Sequence, residues 1–273
     1  MAHNLLKGKK GLIFGALDES SIAWKVAMRC HDEGATLTLS NAPIAMRMGK
    51  IAELAAAVKA EIIPADATSE EDLNKLVQRM MEIHGGPVDF VLHSIGMSPN
   101  VRKNKHYTEL NHEFMLKTMD ISALSLHKIM QSFYQMDALN ENASVLALSY
   151  IAAQRVFPNY NDMADAKALL ESVARSWGYH YGMKKKVRVN TISQSPTYTT
   201  AGSGVAGFDI FFNYAEAMSP LGNATADECA DYCVTMFSDL TKKVTMQNLF
   251  HDGGYSYTGV SEKMMELFRN KEG

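Results

Sequence analysis

Short apolar runs alternate with stretches of helical periodicity along the whole chain. Lys10–Phe14 (KGLIF), Thr36–Ser40 (TLTLS), 61–64, Val88–His93 (VDFVLH), 143–149 (ASVLALS), 187–193 (VRVNTIS) and 244–251 predict seven strands. Between them the spacing of apolar positions predicts helices over 21–33, a segment through Lys59, 68–84, 108–136, 160–181 and 225–238, with Thr68 and Glu71 as a capping box. Strand–helix alternation of this kind predicts an α/β fold: a single doubly wound, mostly parallel, Rossmann-like sheet with helices on both faces. The nearly continuous apolar strands agree, because such strands are buried on both sides. Ligands in such folds bind beyond the carboxyl ends of the strands, where the winding reverses.

Composition fits one large domain spanning 1–273: 47% of the residues are hydrophobic and 21% charged. That balance excludes disordered, collagen-like and disulfide-scaffold classes. With 27 basic and 30 acidic side chains the net charge is −3, which gives no reason to expect nucleic acid or a membrane as partner. No leader-like segment opens the chain and no run of about 18 apolar residues occurs, so a cytoplasmic setting is expected. Cys229 and Cys233 share a helix face, but no His or Cys cluster accompanies them. They read as packing residues, and no metal is expected.

The residues after each strand carry the candidate chemistry. The first turn, Phe14-Gly15-Ala16-Leu17-Asp18-Glu19-Ser20-Ser21-Ile22, lacks the G-x-G-x-x-G fingerprint. Gly15 still permits a tight strand exit. Ser21 and Ile22 open a helix, which suits either a plain N-cap or a diphosphate held on free N–H groups. Asp66 and Ala67 follow the third strand, where the carboxylate either accepts from an adenine amino group or serves a turn. Ser94, Ile95 and Gly96 follow the fourth, where backbone passes close to a flat ligand. Tyr150 ends the fifth. Tyr160 and Lys167 stand two helical turns apart, on one face. An ammonium there would lower the phenol pKa, and the phenol could donate to a developing oxyanion; the alternative is packing aromatics and a solvated lysine. The stretch 196–220, with Gly202, Gly204, Gly207, Phe208, Ile210, Phe211 and Phe212, reads as a substrate lid or as a subunit-contacting helix.

The segments GALDESSIA (15–23), HSIGMSPN (93–100), LSYIAAQRVFPNYNDMADAKA (148–168), VRVNTISQSP (187–196) and HDGGYS (251–256) resemble the bacterial NADH-dependent enoyl-acyl carrier protein reductases, a divergent branch of the short-chain dehydrogenase/reductases. The gap between Tyr160 and Lys167 separates this group from ordinary short-chain dehydrogenases, whose Tyr-x-x-x-Lys fails here because position 164 is alanine. A copy at Tyr181–Lys185 lies away from the fifth strand, and Lys184–Lys186 reads as a solvated helix end. The resemblance implies that Tyr160 hydrogen-bonds the thioester carbonyl, Lys167 grips the nicotinamide ribose and Tyr150 has a positioning role. It implies cofactor contacts at Gly15, Ser21, Ile22, Ala42, Asp66, Ala67, Ser94, Ile95, Gly96, Pro196, Thr197, Tyr198, Thr199, Thr200 and Ala201, and a substrate contact at Ser98.

Two departures stand out. The family's Ala-Gly-Pro-Ile is here Gln194-Ser195-Pro196-Thr197, and Ala42 stands where NADH-using relatives carry glutamine. No Arg pair offers a 2′-phosphate clamp, so NADH (NAD+) is the expected cofactor. The lid helix lacks the basic residues with which relatives meet the acidic carrier protein. Arg102, Lys103, Lys105 or Arg155 could replace them. The resemblance thus implies a homotetrameric enzyme acting on enoyl groups linked to acyl carrier protein. A short-chain dehydrogenase for a ketone or alcohol, or a non-catalytic nucleotide-binding regulator, are the alternatives.

Overall fold

The computed structural model describes residues 2–200 and 202–269. Seven strands, β1 (Lys10–Phe14), β2 (Thr36–Ser40), β3 (Glu61–Ile62), β4 (Val88–His93), β5 (Leu139–Ser149), β6 (Arg188–Gln194) and β7 (Asn248–His251), form one sheet ordered β3-β2-β1-β4-β5-β6-β7. Every neighbouring pair is parallel. The described helices are α1 (Ile22–Asp32), α2 (Pro43–Met48), α3 (Ile51–Val58), α4 (Glu70–His84), α5 (Pro99–Arg102), α6 (His112–Met119), α7 (Ser125–Gln135), α8 (Asn161–Lys185), α9 (Phe208–Met218), α10 (Ala226–Phe237) and α11 (Glu262–Arg269).

Two apolar layers hold the sheet. On one side α1, α3 and α10 bury Leu39, Phe90 and Leu146 with Cys30, Cys229, Cys233 and Phe237. On the other, α4, α7 and α8 bury Leu12, Val91 and Val145 with Leu73, Phe133 and Leu170. Each such large side chain contributes about 1.5–3 kcal/mol on leaving water. The winding reverses between β1 and β4, so the crevice lies at their carboxyl ends.

Several boundaries differ from the sequence pattern for local reasons. The cap of α4 is Ser69, which accepts from Asp72 N–H. Thr68 is instead drawn into a turn by the Asp66 carboxylate. Gly49 ends α2 ahead of α3, at a point where a Cβ would run into the Leu17 carbonyl oxygen. The expected helix over 108–136 is interrupted by a π turn at Asp120–Leu124. That turn aims Ser122 Oγ at both backbone groups of Met97 and leads into Ser125, whose Oγ meets His93 Nε2 at 2.8 Å. Such turns mark functional regions, and this one props the end of β4. The last strand begins only at Asn248, after a turn with Met246 in the left-handed region. The pattern did not reveal α11.

Candidate active site

The crevice is built around Gly15. Its φ of +91° favours glycine, and a Cβ would overlap the Ser94 carbonyl oxygen at the end of β4. The two strand ends therefore touch through bare backbone, leaving the flat cradle that a dinucleotide needs. Ser21 is the N-cap of α1, but its hydroxyl serves the loop, donating to Asp18 O at 2.7 Å and accepting from Leu17 N–H. What α1 offers an anion is its first-turn N–H groups, starting at Ile22. At the end of β2 the Asn41 amide is committed to Ala16 O and Ala42 N–H, and Ala42 caps α2. Asp66 is exposed, with one oxygen holding the Thr68 turn. Ala67 points its methyl into the core, so only its backbone faces the crevice. Ile95 packs at the edge of the same core, and Gly96 leaves space beside Lys167 Nζ.

Tyr160 and Lys167 converge, though not along one helix face. Tyr160 precedes α8 as its N-cap, between Asn159 (φ +71°) and Asn161 (φ +47°). Left-handed backbone on both sides, which Asn tolerates, turns the Tyr160 ring onto Tyr150, with centroids 5.2 Å apart. Lys167, in the second turn of α8, reaches the same strand end and donates to Leu148 O at 2.6 Å. The meeting point is the end of β5. The lowered phenol pKa is not found. Burial pushes Tyr160 well above the ordinary tyrosine range, and burial, then Tyr255 and Tyr160, do the same to Tyr150. Both are neutral phenols and therefore donors. Lys167 is 8% exposed. Burial, opposed by Glu171, pulls it down to about 8. Neither phenol has a protein partner for its hydroxyl among the described residues.

Ser98 lies beside this group but is spent on structure. It is 3% exposed, donates to Asp162 Oδ1 at 2.6 Å and accepts from Val101 N–H. Asp162, fully buried in the first turn of α8, also accepts from Asn100 Nδ2 and Thr118 Oγ1, each at 2.9 Å. Three donors and a helix N-terminus make that buried carboxylate tolerable. The sequence pattern did not single out Asp162 or Glu171, although both lie within five residues of Lys167 on its own helix.

The segment after β6 leads from Gln194 to α9. Gln194 and Ser195 turn their side chains away from the crevice: Gln194 meets His251 Nδ1 at 2.7 Å and donates to Ala224 O, while Ser195 Oγ accepts from Ala224 N–H. The departure from the family pattern thus braces the base of the segment. Pro196 is buried and Thr197 Oγ1 donates to Ser195 O. Thr199 Oγ1 accepts from Gly202 N–H. Thr200 donates to Asp18 Oδ2 at 2.5 Å and to Ser20 Oγ, clasping the β1–α1 loop. Burial would raise Asp18, but hydrogen bonds from Ser20 and Thr200 outweigh it and hold the carboxyl low. Tyr198 turns to α9, packing on Phe212 (4.4 Å) and donating to Asp209. Ala201 lies outside the described residues. Phe157 links Tyr150 (5.1 Å) to Phe211 on α9 (6.0 Å) and Tyr255 (6.3 Å), an aromatic wall that sequence spacing could not assemble.

The Tyr181–Lys185 pair is no site. Tyr181 is fully buried against Tyr134 and Trp177, while Lys184 and Lys186 are exposed to solvent as expected and Lys184 and Lys185 pair with Asp137. Among the described residues no group of three His, Cys, Asp or Glu could hold a metal, and no helix is long and apolar enough to cross a membrane.

The sheet order and its glycine cradle define a Rossmann-type dinucleotide-binding fold of the short-chain dehydrogenase/reductase kind. Comparison with known proteins narrows this. A family profile described as Enoyl-(Acyl carrier protein) reductase matches residues 15–256. The NADH enoyl-[acyl-carrier-protein] reductase FabI of Neisseria meningitidis is 32% identical over 259 residues, 94% of this chain and 98% of that protein. The reductase 2 of Rhizobium meliloti is 31% identical over 260 residues, 94% and 95% of the two chains. The crystal structure of a FabI–NADH complex from Alistipes finegoldii superposes with a TM-score of 0.96 at 61% identity, covering 97% of this chain and 93% of that one. The chain belongs to the enoyl-acyl carrier protein reductase family.

Proposed function

We propose that this protein is an NADH-dependent oxidoreductase acting on CH–CH bonds, reducing trans-2-enoyl thioesters on acyl carrier protein to acyl thioesters in bacterial fatty-acid synthesis. The observation that carries the reading is the convergence of two neutral phenols and a buried ammonium at the end of β5, beside the Gly15 cradle. Gly15, the first turn of α1 from Ser21 and Ile22, the β2 end at Ala42, Asp66 and Ala67, Ser94 to Gly96, Lys167 and the segment Pro196–Ala201 would hold NADH. When bound, it supplies a hydride to the β-carbon of the enoyl thioester.

Tyr160 donates a hydrogen bond to the thioester oxygen, where negative charge collects as hydride addition makes the substrate an enolate, and the α-carbon then takes a proton to give the acyl thioester. Tyr150 orients the Tyr160 ring and lends a second hydroxyl. Lys167 holds ribose hydroxyls with the N–H donors that Leu148 O leaves free. Ser98 shapes the substrate side through Asp162. The lid over 196–220, with Phe208, Phe211 and Phe212, covers an acyl chain and keeps water from the enolate. Exposed Arg102, Lys103 and Lys105, which have no acidic partner among the described residues, suit the acidic carrier protein. Exposed Leu116, Leu124 and Tyr179 offer a surface for assembly as a homotetramer in the cytoplasm. Following NADH absorbance with crotonyl and acetoacetyl thioesters tests the reading. Oxidation with the enoyl compound alone supports it; turnover of the ketone, or binding without turnover, refutes it.

A further inference from the structure

Glu171 is a buried charged side chain beside Lys167 for which the reaction above has no use. It lies on α8 one turn beyond Lys167 and is 4% exposed. Its carboxylate accepts from Ser149 Oγ at 2.7 Å and from Gln154 Nε2 at 3.2 Å. Those donors bracket Tyr150: Ser149 ends β5, and Gln154 follows the short turn Ile151–Ala153. One carboxylate thus ties both ends of the Tyr150 turn to the helix that carries Lys167.

It also completes the charge balance. The groups that meet Lys167 are His93 from β4, the backbone at Leu148 of β5 and at Gly96 after β4, and Glu171 from its own helix, with the phenols of Tyr150 and Tyr160 at the same strand end. His93 is buried and pushed down to about 3, chiefly by desolvation and then by Lys167 itself, so it is neutral near pH 7. Burial keeps both phenols neutral as well. Glu171 remains as the one anion among them, and a buried ammonium without such a partner sheds its proton readily.

We propose that Glu171 is a positioning residue that keeps Lys167 protonated for the cofactor ribose while fixing the Tyr150 turn. This rests on the NADH reading above. Glu171 acts on Lys167 through charge without an ion-pair contact, and opposite charges held just beyond contact at an intermediate dielectric move a titration by roughly one to two pH units.

Glu171→Gln removes the charge but keeps the shape. Ser149 still finds an acceptor, and Gln154 can turn its amide to meet the new one. The experiment is a fluorescence titration of NADH binding across pH, with circular dichroism to confirm folding. Wild-type affinity should fall as pH passes about 8. In E171Q the fall should begin about one unit lower, so that near pH 8 the Kd is roughly 5-fold weaker than wild type, with the two proteins equal at acid pH. Glu171→Asp, which keeps the charge but withdraws it, should shift the limb the same way by less. An unmoved limb in E171Q, or a loss of affinity equal at every pH, would overturn the proposal. If E171Q does not fold, E171D is judged by the same criterion. A wild-type chain that binds no NADH at any pH strikes the parent reading instead, and the proposal falls with it.

Discussion

Replacing Tyr160 by Phe deletes one hydroxyl and little else. The ring lies 5.2 Å from that of Tyr150, a contact that Phe keeps. No other protein group loses a partner, because the Tyr160 hydroxyl donates to none among the described residues. Stability should therefore change by less than about 0.5 kcal/mol. Catalysis should not be spared. Burial holds the phenol neutral and a donor through the working pH range, and loss of one such donor to an oxyanion costs about 2.7–4 kcal/mol. That converts to a kcat lower by roughly 100- to 1000-fold, since each 1.36 kcal/mol is about tenfold. On the proposed reading NADH is held by Lys167 and the Gly15 cradle, so its Kd should stay within about twofold. Steady-state kinetics with a short enoyl thioester, paired with NADH titration, measures both. A kcat loss below about tenfold, or an equal loss in NADH affinity, would refute the assignment of the oxyanion donor to Tyr160.

Gly15→Ala places a Cβ on the Ser94 carbonyl and forces alanine into φ +91°, so it should abolish NADH binding and lower the Tm; retained affinity by calorimetry would remove the cradle argument. Lys167→Met should weaken NADH at least tenfold yet stabilise the cofactor-free chain. The buried lysine falls from the ordinary range to about 8, and roughly 2.5 units at ~1.36 kcal/mol each is about 3 kcal/mol, partly offset by the lost bond to Leu148 O. The sign follows: the unfolded chain binds more protons between the two values, so wild-type stability rises with pH from about 8 to 10.5. Denaturant midpoints for Lys167→Met should lack that rise, and a parallel rise would contradict it. Charge reversal at Lys103 and Lys105 should raise KM several-fold for carrier-linked substrate but not for a small thioester; equal KM for both substrates would move docking elsewhere.

The alternation of apolar runs was enough to read the sheet, because strands buried on both faces leave a continuous apolar signature. Ends were less legible where side chains rather than periodicity decide them. Thr68 and Ser69 are both plausible caps, and the Asp66 turn selects between them. The π turn at Asp120–Leu124 depends on Ser122 finding Met97, a contact 25 positions away in sequence. At the candidate site, Tyr160, Lys167 and Tyr150 were singled out by their strand-end and helix positions together with the family resemblance, but the route by which they approach one another was not legible. Two Asn residues in left-handed backbone take Tyr160 out of the helix, and helical arithmetic does not see that. Asp162 and Glu171 escaped notice because an acidic residue on a helix ordinarily faces water.

Their burial follows a consistent logic along α8. Its first half carries Asp162, Lys167 and Glu171, all less than 9% exposed, where a helix of this length ordinarily buries apolar side chains. A buried charge is costly unless it is paired or hydrogen-bonded. The simplest remedy would be a direct ion pair between Lys167 and Glu171, which the i,i+4 spacing permits. The chain does not take it: Glu171 is held back by Ser149 and Gln154, and Lys167 donates to a carbonyl instead. An ammonium has three N–H donors. One goes to Leu148 O, and an ion pair would claim another. Holding the carboxylate near but out of bonding range keeps the positive charge and leaves two donors uncommitted among the described residues, as many as the ribose of the proposed cofactor has hydroxyls to offer.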